Sequence, residues 1–265
     1  MKNIKIYKVD AFTNKLFSGN PAAVCPLDDW LPDEVMQSIA LENNLSETAF
    51  FIKDKDKFFL RWFTPKVEID LCGHATLATA HIIYTEMDYQ FDNIAFNIKS
   101  GDVLNVTRIE NKLTMNFPAY DPKITDQNLD ELSDIFGFRP TLFLNSNYGL
   151  AVFNNEEEIV KIEPNLNALE KLSYNGIIVT APGKNVDFVS RFFGPKLGIP
   201  EDPVTGGAHC ALIPYWSKRL NKKDMIAMQL SKRGGVIYCS YLNDRVNMGG
   251  EAITYMQGEI LLDNI

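Results

Sequence analysis

The sequence predicts an α+β protein built from two similar halves, and three observations carry this prediction. Short segments rich in aromatic and β-branched residues alternate with turn-forming residues, which is typical of strands in a mainly antiparallel sheet. Two longer apolar segments, each entered through a glycine-containing turn, favour helices. The chain has 265 residues, whereas a single domain usually has roughly 100 to 200. Two domains are therefore expected.

The first 50 residues predict a hairpin, a helix and a strand. Residues 4–12 and 22–25 are apolar and flank a loop with glycine, asparagine and proline, so we expect them to pair. Pro32 is expected at the first helical position, where a missing N–H costs nothing, with helical spacing continuing to residue 42. The pattern then changes to aromatic and β-branched residues. Glu47 is thus expected where a helix gives way to a strand.

The rest of the chain predicts a meander of antiparallel strands in the first half and the same α+β pattern in the second. A polar, proline-containing stretch at 118–125 is expected to link the halves. A helix is expected at 129–136. The strands are expected at 48–52, 58–63, 94–98, 103–109, 112–117, 176–180, 188–193, 236–241 and 252–261.

Charge, apolar patterning and cysteine spacing disfavour several classes of function. The formal net charge is −8, and the lysines and arginines are scattered, which disfavours nucleic-acid binding. The sequence has neither an N-terminal signal pattern nor an apolar run of about 18 residues, so a cytoplasmic protein without membrane contact is expected. The four cysteines lack zinc-site spacing and are expected to be free thiols.

Two segments resemble each other, one starting at Glu68 and one at Glu201. Each runs from an acidic residue through a glycine turn into an apolar helix. One interpretation is that both are ordinary strand-to-helix turns in which glycine gives the backbone freedom. The other is that both are buried helix N-termini whose N–H groups face each other across a cleft between the halves and bind carboxylates. No phosphate-binding glycine motif is present, so nucleotide binding is not expected.

The histidines and Glu47 are the candidates for acid–base chemistry. His74 and His209 lie in the two glycine turns, and His81 lies further along the first helix. We interpret His81 and His209 as packed residues and His74 as the functional candidate. No histidine or cysteine pair has metal-ligand spacing, so no metal is expected. Apolar neighbours such as Phe50 favour the protonated form of a carboxyl group, which suits Glu47 to take and return a proton.

Six motifs, spread over nearly the whole chain, resemble the phenazine-biosynthesis (PhzF-like) family in order and spacing. They are Asp10-Ala-Phe-Thr, Phe17-Ser-Gly-Asn-Pro-Ala-Ala-Val24, Leu45-Ser-Glu-Thr-Ala-Phe50, Asp70-Leu-Cys-Gly-His-Ala-Thr76, Arg191-Phe-Phe-Gly-Pro195 and Glu201-Asp-Pro-Val-Thr-Gly-Gly-Ala208.

The resemblance implies the diaminopimelate epimerase-like fold, in which each half wraps a mainly antiparallel mixed sheet around a central helix and the active site lies between the halves. The first half would be 1–117, completed by the last strand at 252–265, and the second 118–251. A homodimer is implied, as is a cofactor-free isomerase acting on a small carboxylate; the best-known member isomerises trans-2,3-dihydro-3-hydroxyanthranilate. The matching positions make Glu47 the acid/base and His74 and Asp202 its assisting residues. The substrate-binding residues would be Asn20, Gly73, Thr205, Gly206 and Gly207.

Two alternatives stay open at this point. Related epimerases and racemases use two opposed thiols, and Cys72 is placed like one of them, but its counterpart in the second half is Thr205 or its neighbour. A threonine hydroxyl cannot serve as the opposing base, so an epimerase would have to pair Cys72 with Glu47. The other alternative is a carboxylate-binding or self-protection protein without turnover. Cys210 is expected to be packed on its helix.

Overall fold

The computed structural model describes residues 2–262, which form strands, α-helices and one 3₁₀ turn (Pro195–Leu197). The helices are α1 (Asp33–Asn43), α2 (Gly73–Glu86), α3 (Leu129–Phe136), α4 (Glu156–Lys161), α5 (Leu166–Leu169) and α6 (Gly206–Leu220). The strands are β1 (Lys2–Ala11), β2 (Asn20–Leu27), β3 (Glu47–Asp54), β4 (Lys57–Phe63), β5 (Glu68–Ile69), β6 (Asn93–Ile98), β7 (Val103–Ile109), β8 (Lys112–Pro118), β9 (Lys123–Ile124), β10 (Leu142–Asn145), β11 (Gly149–Val152), β12 (Ile177–Pro182), β13 (Phe188–Gly194), β14 (Ile199–Asp202), β15 (Asp224–Gln229), β16 (Gly235–Leu242), β17 (Arg245–Gly250) and β18 (Ala252–Leu262).

These elements group into two compact units. Unit 1 comprises residues 2–116 and 249–262, and unit 2 comprises Phe117–Met248. None of the helices in the described part of the chain is long and apolar enough to cross a membrane.

In unit 1, a mixed sheet is formed around α2. Strand β1 pairs antiparallel with both β18 and β2, and β3 with β4. The predicted meander is confirmed for β6, β7 and β8. It is wrong at two places, because β2–β3 and β4–β6 are parallel pairs. Each parallel pair is separated in sequence by a helix, α1 or α2, which returns the chain to the same end of the sheet.

In unit 1, the side chains of each strand alternate between the two faces of the sheet, and Glu47 lies on the face that α2 covers. Ala23 and Phe50 belong to the cluster that packs around α1. Because successive side chains of a strand point to opposite faces, Ala22 and its cross-strand partner Glu47 face the other side. Helix α2 packs there, against β1, β2, β3 and β18, and nine of its residues are buried.

Helix α1 begins one residue later than the sequence predicts. Pro32 has φ −52° and ψ 142°, so it is the N-cap residue and not the first helical residue. Its carbonyl accepts hydrogen bonds from the amides of Val35 and Met36. The prediction failed by one position because a proline lacks only a donor, and its carbonyl still starts the helix.

Unit 2 repeats the arrangement around α6. Its sheet combines antiparallel pairs with the parallel pairs β11–β12 and β13–β15. One face packs against α3, α4 and α5 in an apolar cluster that includes Val179 and Val189. On the other face, Trp216 of α6 stacks on Phe188 at 5.7 Å and donates a hydrogen bond to Thr180 Oγ1 at 2.9 Å.

Helix α6 contains a proline, yet its backbone stays hydrogen-bonded. Pro214 has no N–H to give to the carbonyl of Cys210, four residues earlier. The amide of Tyr120 donates to that carbonyl instead, at 2.9 Å. Since a buried carbonyl without a partner would be costly, this contact allows the helix to continue to Leu220.

Candidate active site

The first cluster lies in unit 1, where the start of β3 meets the start of α2. Oε2 of Glu47 is 3.1 Å from Nε2 of His74, and both side chains are about nine-tenths buried. The two atoms approach at ion-pair distance without the alignment of a hydrogen bond, and neither has a hydrogen-bond partner among the described residues. A buried carboxylate and a buried imidazole therefore keep unused hydrogen-bonding capacity at the same point.

Cys72 completes this cluster on the other side of the imidazole ring. It is the N-cap residue of α2, with φ −143° and ψ 113°, and its Sγ lies 3.5 Å from Nδ1 of His74. Burial lowers the pKa of His74, but the neighbouring Cys72 and Glu47 raise it by more, so the pKa lies well above 6.5. A raised pKa favours the imidazolium form of the ring, in which both nitrogens carry a hydrogen.

The thiol of Cys72 is not activated by its surroundings. Burial and the nearby carboxylate of Glu47 raise its pKa above the usual 9.0, although His74 partly opposes them. At neutral pH the group is a neutral thiol, whereas nucleophilic or basic cysteines are thiolates. The cysteine therefore contributes a sulfur contact to His74 and lacks a ready negative charge.

The same three side chains are the candidates for holding a metal ion. One donor atom each from Glu47, Cys72 and His74 lies within 4.8 Å of the others, and all three residues are buried. Carboxylate, thiolate and imidazole are the ligands that zinc prefers. However, a metal would first have to displace protons from Cys72 and His74. The prediction of no metal stays a prediction.

Asn20 and Gly73 lie beside this cluster in the fold. Asn20 is the first residue of β2, is fully buried, and precedes by two positions Ala22, the cross-strand partner of Glu47. Because residues two apart in a strand share a face, Asn20 is on the face that α2 covers. Gly73 is the first residue of α2, and no side chain caps this helix.

The second cluster lies in unit 2, at the turn between β14 and α6. Thr205 is the N-cap residue of α6, and its hydroxyl donates to Oδ2 of Asp202 at 2.6 Å. Gln229, from β15, accepts a hydrogen bond from the amide of Thr205 at 2.9 Å and donates to the carbonyl of Asp202 at 2.8 Å. Its amide nitrogen is also 3.1 Å from the Thr205 hydroxyl. Three side chains thus fix this turn.

Gly206 and Gly207 begin α6, and no side chain caps this helix either. The N–H groups of such a first turn carry partial positive charge and suit an anionic ligand. Tyr148 and Asn147 approach from the turn before β11: Asn147 donates to the carbonyl of Gly207 at 3.3 Å. A Cβ at Gly207 would lie 3.5 Å from the Tyr148 hydroxyl, in ordinary contact.

The other two histidines are packed, as predicted. His209 is fully buried, and its Nδ1 donates to the carbonyl of Thr205 at 2.9 Å. His81 contacts the hydroxyl of Thr254 at 3.1 Å. Burial lowers the pKa of each to about 4, so both are neutral at physiological pH.

Sequence reasoning missed Gln229 as a part of this turn. The sequence feature that could have identified it is a single amide side chain between two apolar residues, Met228 and Leu230. A buried amide needs partners for both its oxygen and its nitrogen. A glutamine directly after four apolar residues of a strand, Met225 to Met228, therefore points to a polar contact that only the tertiary structure identifies.

The family model described as phenazine biosynthesis-like protein matches residues 9–258. An uncharacterized isomerase of Pseudomonas aeruginosa is 46% identical over 260 residues, covering 98% of this chain and 99% of that protein. The chain belongs to the phenazine biosynthesis-like family. This membership accounts for the order and spacing of the six motifs.

Solved structures agree with the fold of this phenazine biosynthesis-like protein. A PhzF-family phenazine biosynthesis protein of Enterococcus faecalis has a TM-score of 0.96 at 46% identity, covering 98% of this chain and 100% of that one. A hydroxyproline epimerase of Agrobacterium vitis has a TM-score of 0.63 at 8% identity, covering 99% and 93%. The latter likeness concerns the fold alone. The predicted diaminopimelate epimerase-like α+β fold is confirmed.

Proposed function

We propose that this member of the phenazine biosynthesis-like family is a cofactor-independent isomerase that moves a proton between carbon atoms of a small carboxylate substrate. The observation that carries the proposal is the 3.1 Å approach of Glu47 Oε2 to Nε2 of His74, two buried atoms without a hydrogen-bond partner among the described residues. Family relatives named as isomerases support this class of reaction.

Glu47 is the acid/base in this proposal. As a carboxylate it removes a proton from carbon, and as a carboxylic acid it returns the proton to a second carbon on the same face of the substrate. Its place at the start of β3, against the buried start of α2, excludes most water from the carboxylate. Exclusion of water strengthens the electrostatic interactions between the carboxylate and its neighbours.

His74 and Cys72 support the first step electrostatically. When Glu47 becomes neutral by taking a proton, the positive imidazolium loses its nearest carboxylate partner and becomes available to the negative charge that develops on the substrate. Cys72 keeps the opposite nitrogen of the ring occupied at 3.5 Å. The ring therefore keeps its orientation while the charge moves.

The carboxylate of the substrate is proposed to bind at an uncapped helix N-terminus. The first turns of α2 and α6, at Gly73, Gly206 and Gly207, have no capping side chain and no acidic residue. Asn20, Asp202 and Thr205 are assigned supporting roles in binding and orienting the substrate. In this proposal Asp202 is held ready by the hydroxyl of Thr205 and by Gln229.

The test is incorporation of solvent deuterium into a panel of small carboxylates that includes trans-2,3-dihydro-3-hydroxyanthranilate, followed by mass spectrometry and NMR. Glu47→Gln removes the base and keeps the size of the side chain, so exchange at carbon should fall by about 100-fold or more. Glu42→Gln, at an exposed position of α1, is the matched control and should leave exchange unchanged.

Other outcomes support the competing functions. Exchange that survives Glu47→Gln but disappears in Cys72→Ala would favour a thiol-dependent epimerase. Binding of a carboxylate without exchange in the wild-type protein, for every compound of the panel, would favour a binding protein. Either result would overturn the proposal that Glu47 is the proton-transferring base.

A further inference from the structure

Each unit contains an arginine that holds a glutamate by two parallel hydrogen bonds. In unit 1, Arg61 of β4 donates from Nε and Nη2 to the two carboxylate oxygens of Glu68, at 2.7 and 2.9 Å. In unit 2, Arg191 of β13 donates from the same two nitrogens to Glu201, at 2.7 and 3.0 Å. The two pairs therefore have the same geometry.

The pairs also occupy the same place in the sequence of each unit. Each glutamate lies four residues before the N-cap residue of the central helix, which is Cys72 after Glu68 and Thr205 after Glu201. Each arginine is followed two positions later by a phenylalanine, and its guanidinium lies over that ring at 5.2 Å in unit 1 and 4.9 Å in unit 2. The match extends to neighbouring residues, since Arg-Trp-Phe-Thr-Pro-Lys in unit 1 corresponds to Arg-Phe-Phe-Gly-Pro-Lys in unit 2.

Each arginine is itself fixed by further contacts and has little freedom. Arg61 contacts Oδ1 of Asp33, in the first turn of α1, at 2.9 Å. Arg191 donates from Nη1 to the carbonyls of Ile159 and Ile162, at the end of α4. The arginine side chains are only 14% and 13% exposed. Bidentate pairs of this kind restrict both partners more than a single contact does.

We infer that Arg61 and Arg191 are positioning residues. Each fixes, through the glutamate it holds, the turn that leads from this glutamate to the N-cap residue of the central helix in its unit. In unit 1 the turn ends at Cys72 and is followed directly by Gly73 and His74. In unit 2, Asp202 is the residue that follows Glu201 in the sequence.

Only three residues separate each glutamate from its N-cap residue, so the turn cannot move far while the glutamate is held. The four Cα–Cα steps from the glutamate to the N-cap residue span about 14 Å at most, and the segments here run between fixed ends. The guanidinium groups donate hydrogen bonds to both carboxylate oxygens of Glu68 and of Glu201. Each carboxylate is therefore restricted in its orientation as well as in its position. The catalytic part of the inference rests on the proposed function, whereas the effect on the turn does not.

In unit 1 the test uses Cys72 as a reporter of the turn. Arg61→Lys keeps the charge but loses the planar fork. Iodoacetamide labels a buried thiol only when the surrounding structure opens, and mass spectrometry assigns the label to each cysteine. The rate of Cys72 labelling should rise about tenfold, as expected from weakening charged hydrogen bonds. Cys25, buried in β2 of the same unit, should keep its rate.

In unit 2 the test uses Cys210, one turn into α6, and Arg191→Lys. Labelling of Cys210 should rise by a similar factor, while Cys239, buried in β16, should not change. Each variant is the control for the other, since Arg191→Lys should leave Cys72 at its wild-type rate. Should Arg61→Lys or Arg191→Lys fail to fold, Glu68→Gln and Glu201→Gln replace them, because they keep the arginine and one acceptor oxygen.

A catalytic measurement then separates positioning from general stability. With any carboxylate that exchanges, Arg61→Lys should lower kcat about tenfold and change KM by a smaller factor, since displacing His74 from Glu47 weakens the stabilisation of charge in the reaction step. The double variant Arg61→Lys with Glu68→Gln should be no worse than the stronger single variant, because the two residues act as one pair.

The inference is wrong if labelling of Cys72 and Cys25 rises together, because the pair would then stabilise the unit as a whole. It is also wrong if neither rate changes. If labelling changes as expected but no carboxylate exchanges in the wild-type protein, the positioning of the turn holds and the proposed isomerase function fails. The two failures are thus distinguishable.

Discussion

Oε2 of Glu47 lies 3.1 Å from Nε2 of His74. The pKa of this histidine is raised well above 6.5: burial opposes the change, but the neighbouring Cys72 and Glu47 exceed its effect. The folded protein therefore holds a proton on His74 at a pH where the unfolded chain has released it. This proton links the stability of the fold to the state of the candidate active site.

The first prediction concerns stability above neutral pH. Because the folded-state pKa of His74 exceeds its unfolded value of about 6.5, its contribution to stability is fully present below pH of about 6.5 and is lost as the pH rises through the folded-state pKa. The free energy of unfolding, measured with urea, should fall in this range by at most about 1.4 kcal/mol per pH unit for the one proton.

His74→Gln, which has no proton to lose, should abolish this part of the pH dependence. His81→Gln is the control, because burial lowers the pKa of His81 to about 4 and the residue is neutral throughout the range. A His74→Gln protein that loses stability with rising pH as steeply as the wild type would contradict the assignment.

The second prediction concerns acid. Burial lowers the pKa of His209 to about 4, so between pH 6.5 and 4 the unfolded chain binds a proton that the folded protein does not. Stability is therefore lost as the pH falls through this range, by about 3 kcal/mol for a fully buried histidine. His209→Asn keeps a donor for the carbonyl of Thr205 and should remove that loss. The substitution also changes stability at pH 7, so the quantity compared is the loss of unfolding free energy between pH 6.5 and pH 4 in each protein. An equal loss in the wild type and in His209→Asn would contradict the prediction.

Much of the fold could be predicted because local patterns decide it. Helix α3 was predicted at 129–136 and is observed as Leu129–Phe136, since a regular apolar spacing ends at a glycine in the left-handed conformation, Gly137. Strands β10 and β11 were not predicted, because each has only four residues. The parallel pairing of β11 with β12 depends on the two intervening helices, and no short-range pattern encodes it.

In the candidate site too, local sequence patterns predict some features and only the tertiary structure shows the others. The motifs identified Glu47 and His74 from their neighbours in the chain, and the structure places both on the same face of unit 1. The contact of Cys72 with Nδ1 of His74 depends on the helix geometry at the start of α2, and burial together with Glu47 keeps the thiol neutral despite this contact. Gln229 lies 24 residues after Thr205. No spacing rule connects such distant residues.

The third prediction tests the network around Gln229. Gln229→Met preserves the length of the side chain but leaves the amide of Thr205 and the carbonyl of Asp202 without these partners. Each buried polar group that loses its partner costs about 1 to 3 kcal/mol, so the free energy of unfolding should fall by about 2 to 6 kcal/mol.

The exposed Gln257 in β18 provides the matched control. Gln257→Met should change the free energy of unfolding by less than about 0.5 kcal/mol. Equal effects of the two substitutions would show that the hydrogen bonds of Gln229 add nothing to stability.

The fourth prediction concerns thiophilic metal ions, because donor atoms of Glu47, Cys72 and His74 lie within 4.8 Å of one another. Zinc takes all three kinds of ligand, and binding it would remove the base of the proposed reaction. Added Zn²⁺ should therefore suppress deuterium exchange, and a chelator should restore it. Magnesium, which prefers oxygen ligands and retains its water, should have no effect at the same concentration.

Inhibition by zinc should also weaken as the pH falls, because the metal competes with protons for Cys72 and His74, whose pKa values are both raised. Cys72→Ala removes one ligand without removing the base. Loss of a supporting partner alone lowers metal affinity by about 10- to 100-fold, so loss of the thiolate should lower it at least as much. If Cys72→Ala exchanges deuterium and is inhibited at the same zinc concentration as the wild type, zinc acts at a different place and this cluster is not its site.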